Sequence, residues 1–255
     1  METEFAFIVT SKVTNTTHRS LLLECIRHIR IFYPEHTIYL INDNSDKSLF
    51  PLSELLDYNI EISDAIVKNG GELNPYMFIL DSVCKHDKLI YIHDSVFIKK
   101  PLDYLQTNSG DFIPIWYSTK YIWNDIFIPE NMEILKNMTF TFNSNNIKLY
   151  NLLQHFKNSK NHFVVTFGAM ACFNKKFVEF IRDNTNLFSI LNMFKNRNNR
   201  CLFERIISSI YIIMYKQMYN KSICGDIIYH PLSFKNSDIY PDNYDNYFVK
   251  VWQGR

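Results

Sequence analysis

The chain has 255 residues, of which 47% are hydrophobic and 21% charged, a composition typical of a folded globular protein and not of a disordered one. The 27 lysines and arginines nearly balance the 26 aspartates and glutamates, so no overall charge attracts nucleic acid or an anionic membrane, and we expect neither as a partner. The five cysteines form no CxxC pair, which disfavours a zinc site and a disulfide framework.

The N-terminus carries no targeting pattern. The first ten residues contain acidic but no basic side chains, unlike a signal peptide. The most apolar stretch, Ile206 to Tyr215, is too short to cross a bilayer. We therefore expect a soluble, cytoplasmic protein without a transmembrane segment.

Strand and helix patterns alternate along the first part of the chain, which predicts a mostly parallel α/β sheet with helices on both faces. The predicted elements are strands over Phe5–Thr10, His36–Asn42, near Ile60 and over Lys88–Ile92, and helices over Thr16–Tyr33, near Leu52–Leu56 and from Gly70 to Lys85.

Polar segments follow three of these strands, namely Thr10–Ser11, Asn42–Asp46 and His93–Ser95. The carboxyl ends of parallel strands meet at one edge of a sheet, and ligands bind there. We therefore expect these three segments to converge.

The second part of the chain is less regular. We predict a lid or acceptor loop between the first strand of this part and its first helix. The predicted elements are a strand over Asp111–Tyr117, the loop over Ser118–Asn145, helices over Ile147–Phe156, Lys175–Ile181 and Cys201–Met218, a strand over Ile223–Tyr229 and an irregular tail from His230.

Several common nucleotide and hydrolase motifs are missing. The sequence lacks GxGxxG, GxxxxGK[ST] and GxSxG, which disfavours a dinucleotide-binding dehydrogenase, a P-loop NTPase and an α/β-hydrolase. No glycine precedes Gly70, so the glycine-rich loop of sugar nucleotidyltransferases is missing as well. The histidines show no metal-ligand spacing.

The remaining pattern resembles a GT-A-type glycosyltransferase, similar to family 2. FAFIVTS, a helix and IYLINDNSD are similar to that family's first strand, helix, second strand and acidic turn. The resemblance implies a GT-A-like single domain with a Rossmann-like nucleotide-binding half (residues 1–105) and an acceptor half with the C-terminal tail (residues 106–255).

The resemblance also implies a donor site for a nucleotide-diphosphate sugar. By position it assigns Thr10, Asp43, Asn44 and Ser45 to the nucleoside, and a carboxylate suits an imide N–H of uracil. Ser11 is also expected in the donor site. NGGELNPYMFILDSV resembles the glycine-containing loop of the family, which places Asn74 near the nucleotide.

IYIHDSVFI resembles the strand that ends in the family's DxD motif, which implies Mn²⁺ or Mg²⁺ bridging the diphosphate. The sequence departs from DxD, because Asp94 is the single carboxylate between His93 and Ser95. We expect Asp94 and His230 as metal ligands and Ser95 in the donor site. The alternative is that Asp94 only caps the turn after its strand.

Two further segments fit the family. TFGAMACFNKKFVEFI resembles the strand and helix that line the donor sugar and acceptor, which implies a role for Gly168. The tail HPLSFKN…VKVWQGR resembles a segment that folds over the donor phosphates, which implies that Lys250 and Arg255 bind them.

RCLFERIISSI resembles the helix that carries the catalytic base of inverting members, and this implies that Glu204 is the base, with Asp226 as the competing acid. A purely structural alternative is a pairing of Glu204 with Arg200 or Ser208 on an exposed helix face.

The predicted function is transfer of a glycosyl group, with UDP-sugars favoured as donors, to a hydroxyl of a glycan, sugar or protein. Two alternatives remain open: a catalytically inactive GT-A-like module that binds glycans or scaffolds an assembly, and a sugar nucleotidyltransferase.

Overall fold

The computed structural model describes residues 5–102, 110–120, 123, 126–142, 144–159, 163–215, 222–230 and 246–251. Its strands are β1 (Ala6–Ser11), β2 (Ile38–Asn42), β3 (Ile60–Asp64), β4 (Lys88–His93), β5 (Val96–Ile98), β6 (Phe112–Pro114), β7 (Tyr117–Ser118), β8 (Thr139–Phe142), β9 (Asn145–Lys148), β10 (Val165–Thr166), β11 (Ala171–Asn174) and β12 (Phe248–Lys250).

A six-stranded sheet in the order β3-β2-β1-β4-β11-β6 forms the centre of the fold. β1 to β4 are parallel, whereas β11 runs antiparallel between β4 and β6. Every residue of β1 is buried, as a strand covered on both faces requires. The predicted mostly parallel α/β sheet is therefore confirmed.

The α-helices that flank the sheet are α1 (Thr16–Phe32), α2 (Leu52–Leu56), α3 (Asn74–Phe78), α4 (Pro129–Asn137), α5 (Leu149–Asn158), α6 (Lys175–Asn184) and α7 (Arg197–Tyr215). Asn15 caps α1 by accepting a hydrogen bond from the backbone N–H of His18 at 2.9 Å, and Asn174 caps α6 in the same way. In the described part of the chain, no helix has the length and apolar character needed to span a membrane.

Three predicted elements are corrected. The helix expected from Gly70 to Lys85 is instead a 3₁₀ turn over Gly71–Leu73, whose first residue has a non-helical φ of +43°, followed by the short α3, which ends at Phe78. The strand expected over Ile223–Tyr229 is wrong: Gly225 has a φ of +79°, and a 3₁₀ turn covers Ile227–Tyr229. The expected loop over Ser118–Asn145 contains α4 and β8.

A strand near the C-terminus forms a separate two-stranded sheet with β5. β12 pairs antiparallel with β5, the short strand that follows β4, so that Lys250 lies opposite Val96. Phe248 and Val249 are buried and hold β12 in place. This pairing brings Lys250 close to the carboxyl end of β4.

Candidate functional site

The three polar segments converge at one edge of the sheet, as predicted. Thr10 is in register with Ile41 of β2 and with His93 of β4. The backbone N–H of Asp43 donates to the carbonyl of Ser11 at 2.8 Å, and that of Asp94 donates to the carbonyl of Thr10 at 3.2 Å. The parallel register thus places both aspartates beside β1.

A cavity of about 370 Å³ opens at this edge. It is lined by residues of both halves of the chain, from Thr10 to Lys250. Eight of the predicted site residues line it: Thr10, Ser11, Asp43, Asp94, Ser95, Gly168, Glu204 and Lys250.

Charged residues that the sequence interpretation did not assign to the site also line the cavity. They are Lys12, Glu72, Lys120, Arg197, Arg200 and Arg205. With these additions, six cationic side chains face four carboxylates among the described lining residues, so the cavity suits an anionic ligand.

One face of α7 supplies much of this charge. Arg197, Arg200 and Glu204 lie three or four residues apart, so they share one side of the helix, and Arg205, which follows Glu204, also lines the cavity. The opposite side is apolar and buried, with Phe203 among its residues. The helical spacing of these charged residues is visible in the sequence and could have indicated all of them as site residues. The sequence interpretation assigned only Glu204.

Glu204 is held on two sides. Its Oε1 accepts a hydrogen bond from the backbone N–H of Gly168 at 3.2 Å, and its Oε2 accepts one from the Arg205 guanidinium at 3.1 Å. The alternative partners expected from the sequence are not its side-chain partners: Arg200 pairs with Glu72, and the Ser208 hydroxyl donates to the backbone carbonyl of Glu204.

The environment of Glu204 tunes its acidity. Burial raises the pKa of Glu204 from 4.5 to about 7; Arg205 opposes this rise, and the nearby carboxylate of Glu72 adds to it. The Glu204 side chain is still 16% exposed, toward the cavity that it lines. A carboxyl group of this kind exchanges protons near neutral pH.

Gly168 fits its position by lacking a side chain. Its φ of +61° lies in the left-handed region, and a Cβ there would stand 3.0 Å from Met170 Cε and 3.1 Å from His93 Cε1. Because Gly168 donates its N–H to Glu204, this turn also fixes the carboxylate.

Glu72 is a second buried carboxylate at the cavity. Its Oε2 lies 3.7 Å from Arg200 Nε and, within the described residues, has no hydrogen-bond partner. Burial raises the pKa of Glu72, while the charge of Arg200 lowers it. Glu72 is thus placed to act on both Glu204 and a bound ligand.

Asp43 is bound within the protein. Its two oxygens accept hydrogen bonds from the backbone N–H groups of Asn69 at 2.6 Å and Gly71 at 3.0 Å, and the residue is only 3% exposed. The carboxylate fixes the loop that leads into the 3₁₀ turn carrying Glu72.

The other predicted site residues lie outside the lining of the cavity or outside the described residues. Asn44 is not part of the lining, and Asn74 is fully buried with its amide bonded to the N–H and carbonyl of Val67. Asp226 caps the 3₁₀ turn at Ile228 and accepts a hydrogen bond from Thr119. Arg255 lies outside the described residues.

The residues at the end of β4 do not fit the divalent cation that the resemblance implies. Such a cation prefers several oxygen ligands, including carboxylates. Here Asp94 is the one carboxylate of the motif, and its Oδ2 already accepts a hydrogen bond from Ser11 Oγ at 2.8 Å. His230 is bonded through Nε2 to the carbonyl of Cys224 and does not line the cavity. No group of three or more potential ligand side chains that could hold a metal occurs within the described ranges.

No protein-family model matches the chain, and no curated protein matches it. The fold is similar to solved structures of TarS from S. aureus (residues 1–349; 13% identity, TM-score 0.45, 83% of this chain and 56% of that chain), core-mannan synthase A from Aspergillus fumigatus in an Mn/GDP form (10%, 0.46, 83% and 70%) and the glycosyltransferase GlyE from Streptococcus pneumoniae (12%, 0.42, 85% and 44%).

All three TM-scores lie below 0.5, and the identities are 10–13%. The chain spans little more than half the length of the TarS structure. Likeness at this level does not identify a substrate or a mechanism.

Proposed function

We propose that this chain transfers a glycosyl group from a nucleotide-diphosphate sugar, with UDP-sugars favoured, to a hydroxyl of a glycan, sugar or protein acceptor. The observation that carries the proposal is Glu204, a largely buried carboxyl group with a pKa of about 7 that lines a cavity rich in cationic side chains.

Glu204 has the properties of a general base. With a pKa of about 7, roughly half of the molecules hold it as a carboxylate at neutral pH, ready to accept a proton. In the proposed step the acceptor oxygen attacks the anomeric carbon and its proton passes to Glu204. The bond from that carbon to the diphosphate breaks, and the diphosphate leaves with the electron pair. Attack opposite the leaving group inverts the anomeric configuration.

The cationic side chains are proposed to stabilise the leaving group. Negative charge grows on the diphosphate as its bond to the sugar breaks, and fixed positive groups stabilise such charge without reorganising. Arginines are suited to this because their planar fork donates two parallel hydrogen bonds to phosphate oxygens. Arg197 and Arg200 line the same cavity as Glu204.

The nucleoside is proposed to bind at the carboxyl ends of β1 and β2, beside Thr10, Ser11 and Asp43. Although Asp43 already accepts two backbone hydrogen bonds, an ionised carboxylate has further lone pairs for a base N–H. Asn44, Asn74 and Arg255 stay sequence predictions for the donor site, and Asp226 stays the alternative base.

A donor screen tests the proposal. Thermal unfolding is measured with UDP-, GDP- and CMP-sugars, since a ligand of the folded state raises the melting temperature. Nucleotide release is then measured with sugar and glycan acceptors. We expect a UDP-sugar to bind and be consumed. Binding without turnover would favour the inactive module, and pyrophosphate release from a nucleoside triphosphate plus a sugar phosphate would favour the nucleotidyltransferase.

The pH profile gives a sharper prediction. Activity that requires ionised Glu204 should rise with pH through a midpoint near pH 7. The charge of Glu72 raises the pKa of Glu204, so Glu72→Gln should move this midpoint to lower pH. The measurement is kcat/KM against pH, with Glu133→Gln, at an exposed position on α4, as the matched control. An unmoved midpoint in Glu72→Gln would contradict the coupling of the two carboxyl groups.

A further inference from the structure

We propose that the ammonium group of Lys250 takes the place of a divalent cation at the end of β4, so that this chain binds the diphosphate of its donor without a metal ion. The inference rests on the proposed function and deepens it, because it concerns how the same cavity neutralises the donor.

The backbone fixes the position of Lys250. Lys250 ends β12, where it pairs with Val96 of β5 just after the HDS segment. The next residue, Val251, donates its N–H to the carbonyl of Ser95 at 2.9 Å. The Lys250 ammonium itself donates a hydrogen bond to Ser95 Oγ. A residue 155 positions further along the chain is thereby held against the segment that resembles the metal-binding motif.

The position of this ammonium conflicts with a metal ion. If the segment follows the register of the DxD motif, Ser95 stands at the second acidic position, where a carboxylate would bind the cation. Here that position carries a hydroxyl that accepts a hydrogen bond from Lys250. A divalent ion between Asp94 and Ser95 would lie beside a positive charge, with one carboxylate to offset the repulsion between the two cations.

The positive charge of Lys250 is also directed toward the cavity. Lys250 lines it together with Ser95 and Asp94, and its charge is among those that lower the pKa of Glu72. Arg197 and Arg200 stand on the α7 wall of the same cavity. A diphosphate between Lys250 and these arginines would be neutralised by side chains alone, in charge-assisted hydrogen bonds.

The test measures the affinity of the whole chain for UDP, GDP and CDP by calorimetry, once in the presence of EDTA and once in the presence of Mn²⁺. We expect one nucleoside diphosphate to bind with equal affinity under both conditions. Lys250→Met should weaken that binding by roughly 10- to 100-fold, since it removes a charged hydrogen-bond donor to the diphosphate. Lys250→Arg should retain part of the affinity. Lys136→Met, at an exposed position on α4, is the matched control and should bind as the wild type does.

The outcomes distinguish a failure of the inference about Lys250 from a failure of the proposed glycosyl transfer. Binding that EDTA abolishes and Mn²⁺ restores would overturn the inference and leave the proposed glycosyl transfer standing. Failure of all three nucleotides to bind under either condition would contradict the proposed function itself. Wild-type affinity in a folded Lys250→Met variant would overturn the role of Lys250. If that variant does not fold, the comparison of EDTA with Mn²⁺ in the wild type still decides whether a metal is needed.

Discussion

Glu204→Gln is expected to lower turnover by about a hundred- to ten-thousand-fold while the affinity for the donor stays near that of the wild type. Glutamine keeps the shape of the side chain and an oxygen that accepts the hydrogen bond from Gly168, but it does not take a proton from the acceptor hydroxyl. A loss confined to kcat is the mark of an interaction made in the transition state. The measurement is steady-state kinetics beside calorimetry of donor binding.

Glu133→Gln provides the control for this substitution, because it makes the same chemical change at an exposed position and should leave turnover unchanged. Near-normal turnover in a folded Glu204→Gln variant would contradict the assignment. The role of base would then move to Asp226 or another acid, or the reaction would retain configuration and need no such base. Collapse of the fold, seen by circular dichroism, would show that Glu204 serves the structure.

Asp43→Ala is expected to lower the free energy of unfolding by about 3 kcal/mol or more, since two hydrogen bonds to a charged group are lost and two backbone donors lose their partner. Nucleotide affinity should fall as well, because Asn69 in the released loop contacts Lys12 of the cavity at 2.7 Å. Urea unfolding measures the first effect, and calorimetry of the folded variant measures the second.

Two companion variants make this result specific. The free energy of unfolding of Asp43→Asn should lie between those of the wild type and Asp43→Ala, because an amide has one oxygen that can accept hydrogen bonds from the two N–H groups. Asp57→Ala, at an exposed position after α2, should change the free energy of unfolding by less than about 0.5 kcal/mol. An unchanged urea midpoint for Asp43→Ala would show that the loop is held by other contacts.

The local hydrophobic pattern of the sequence was sufficient to predict the main strands and the first helix of the central sheet. The alternation of apolar runs and helical stripes predicted β1, α1, β2 and β4, because the spacing of buried residues is a property of the neighbouring sequence. The parallel arrangement then required Ser11, Asp43 and Asp94 to meet at one edge, and they do. Glu204 was assigned through the resemblance of RCLFERIISSI to a helix that carries a catalytic base, and it lines the cavity at this edge.

Features that depend on residues distant in the chain were decided by the tertiary structure. The sequence predicted an acidic turn at Asp43, and only the fold brings the N–H groups of Asn69 and Gly71 onto its carboxylate. The sequence also did not reveal that the amide of Asn74 is bonded to the backbone of Val67. No local periodicity encodes such partners, because they follow from how packed elements bring separate loops together.

The charge of the cavity also depends partly on the sequence alone and partly on the tertiary structure. The sequence by itself determined that one carboxylate follows β4 and that acidic and basic residues are balanced overall. Only the tertiary structure decided that Lys250 bonds to Ser95 and that the arginines of α7 line the same cavity. The reason is physical: a composition sums charges over the whole chain, while a binding site depends on which of them the strand pairing and helix packing bring within a few ångströms of one another.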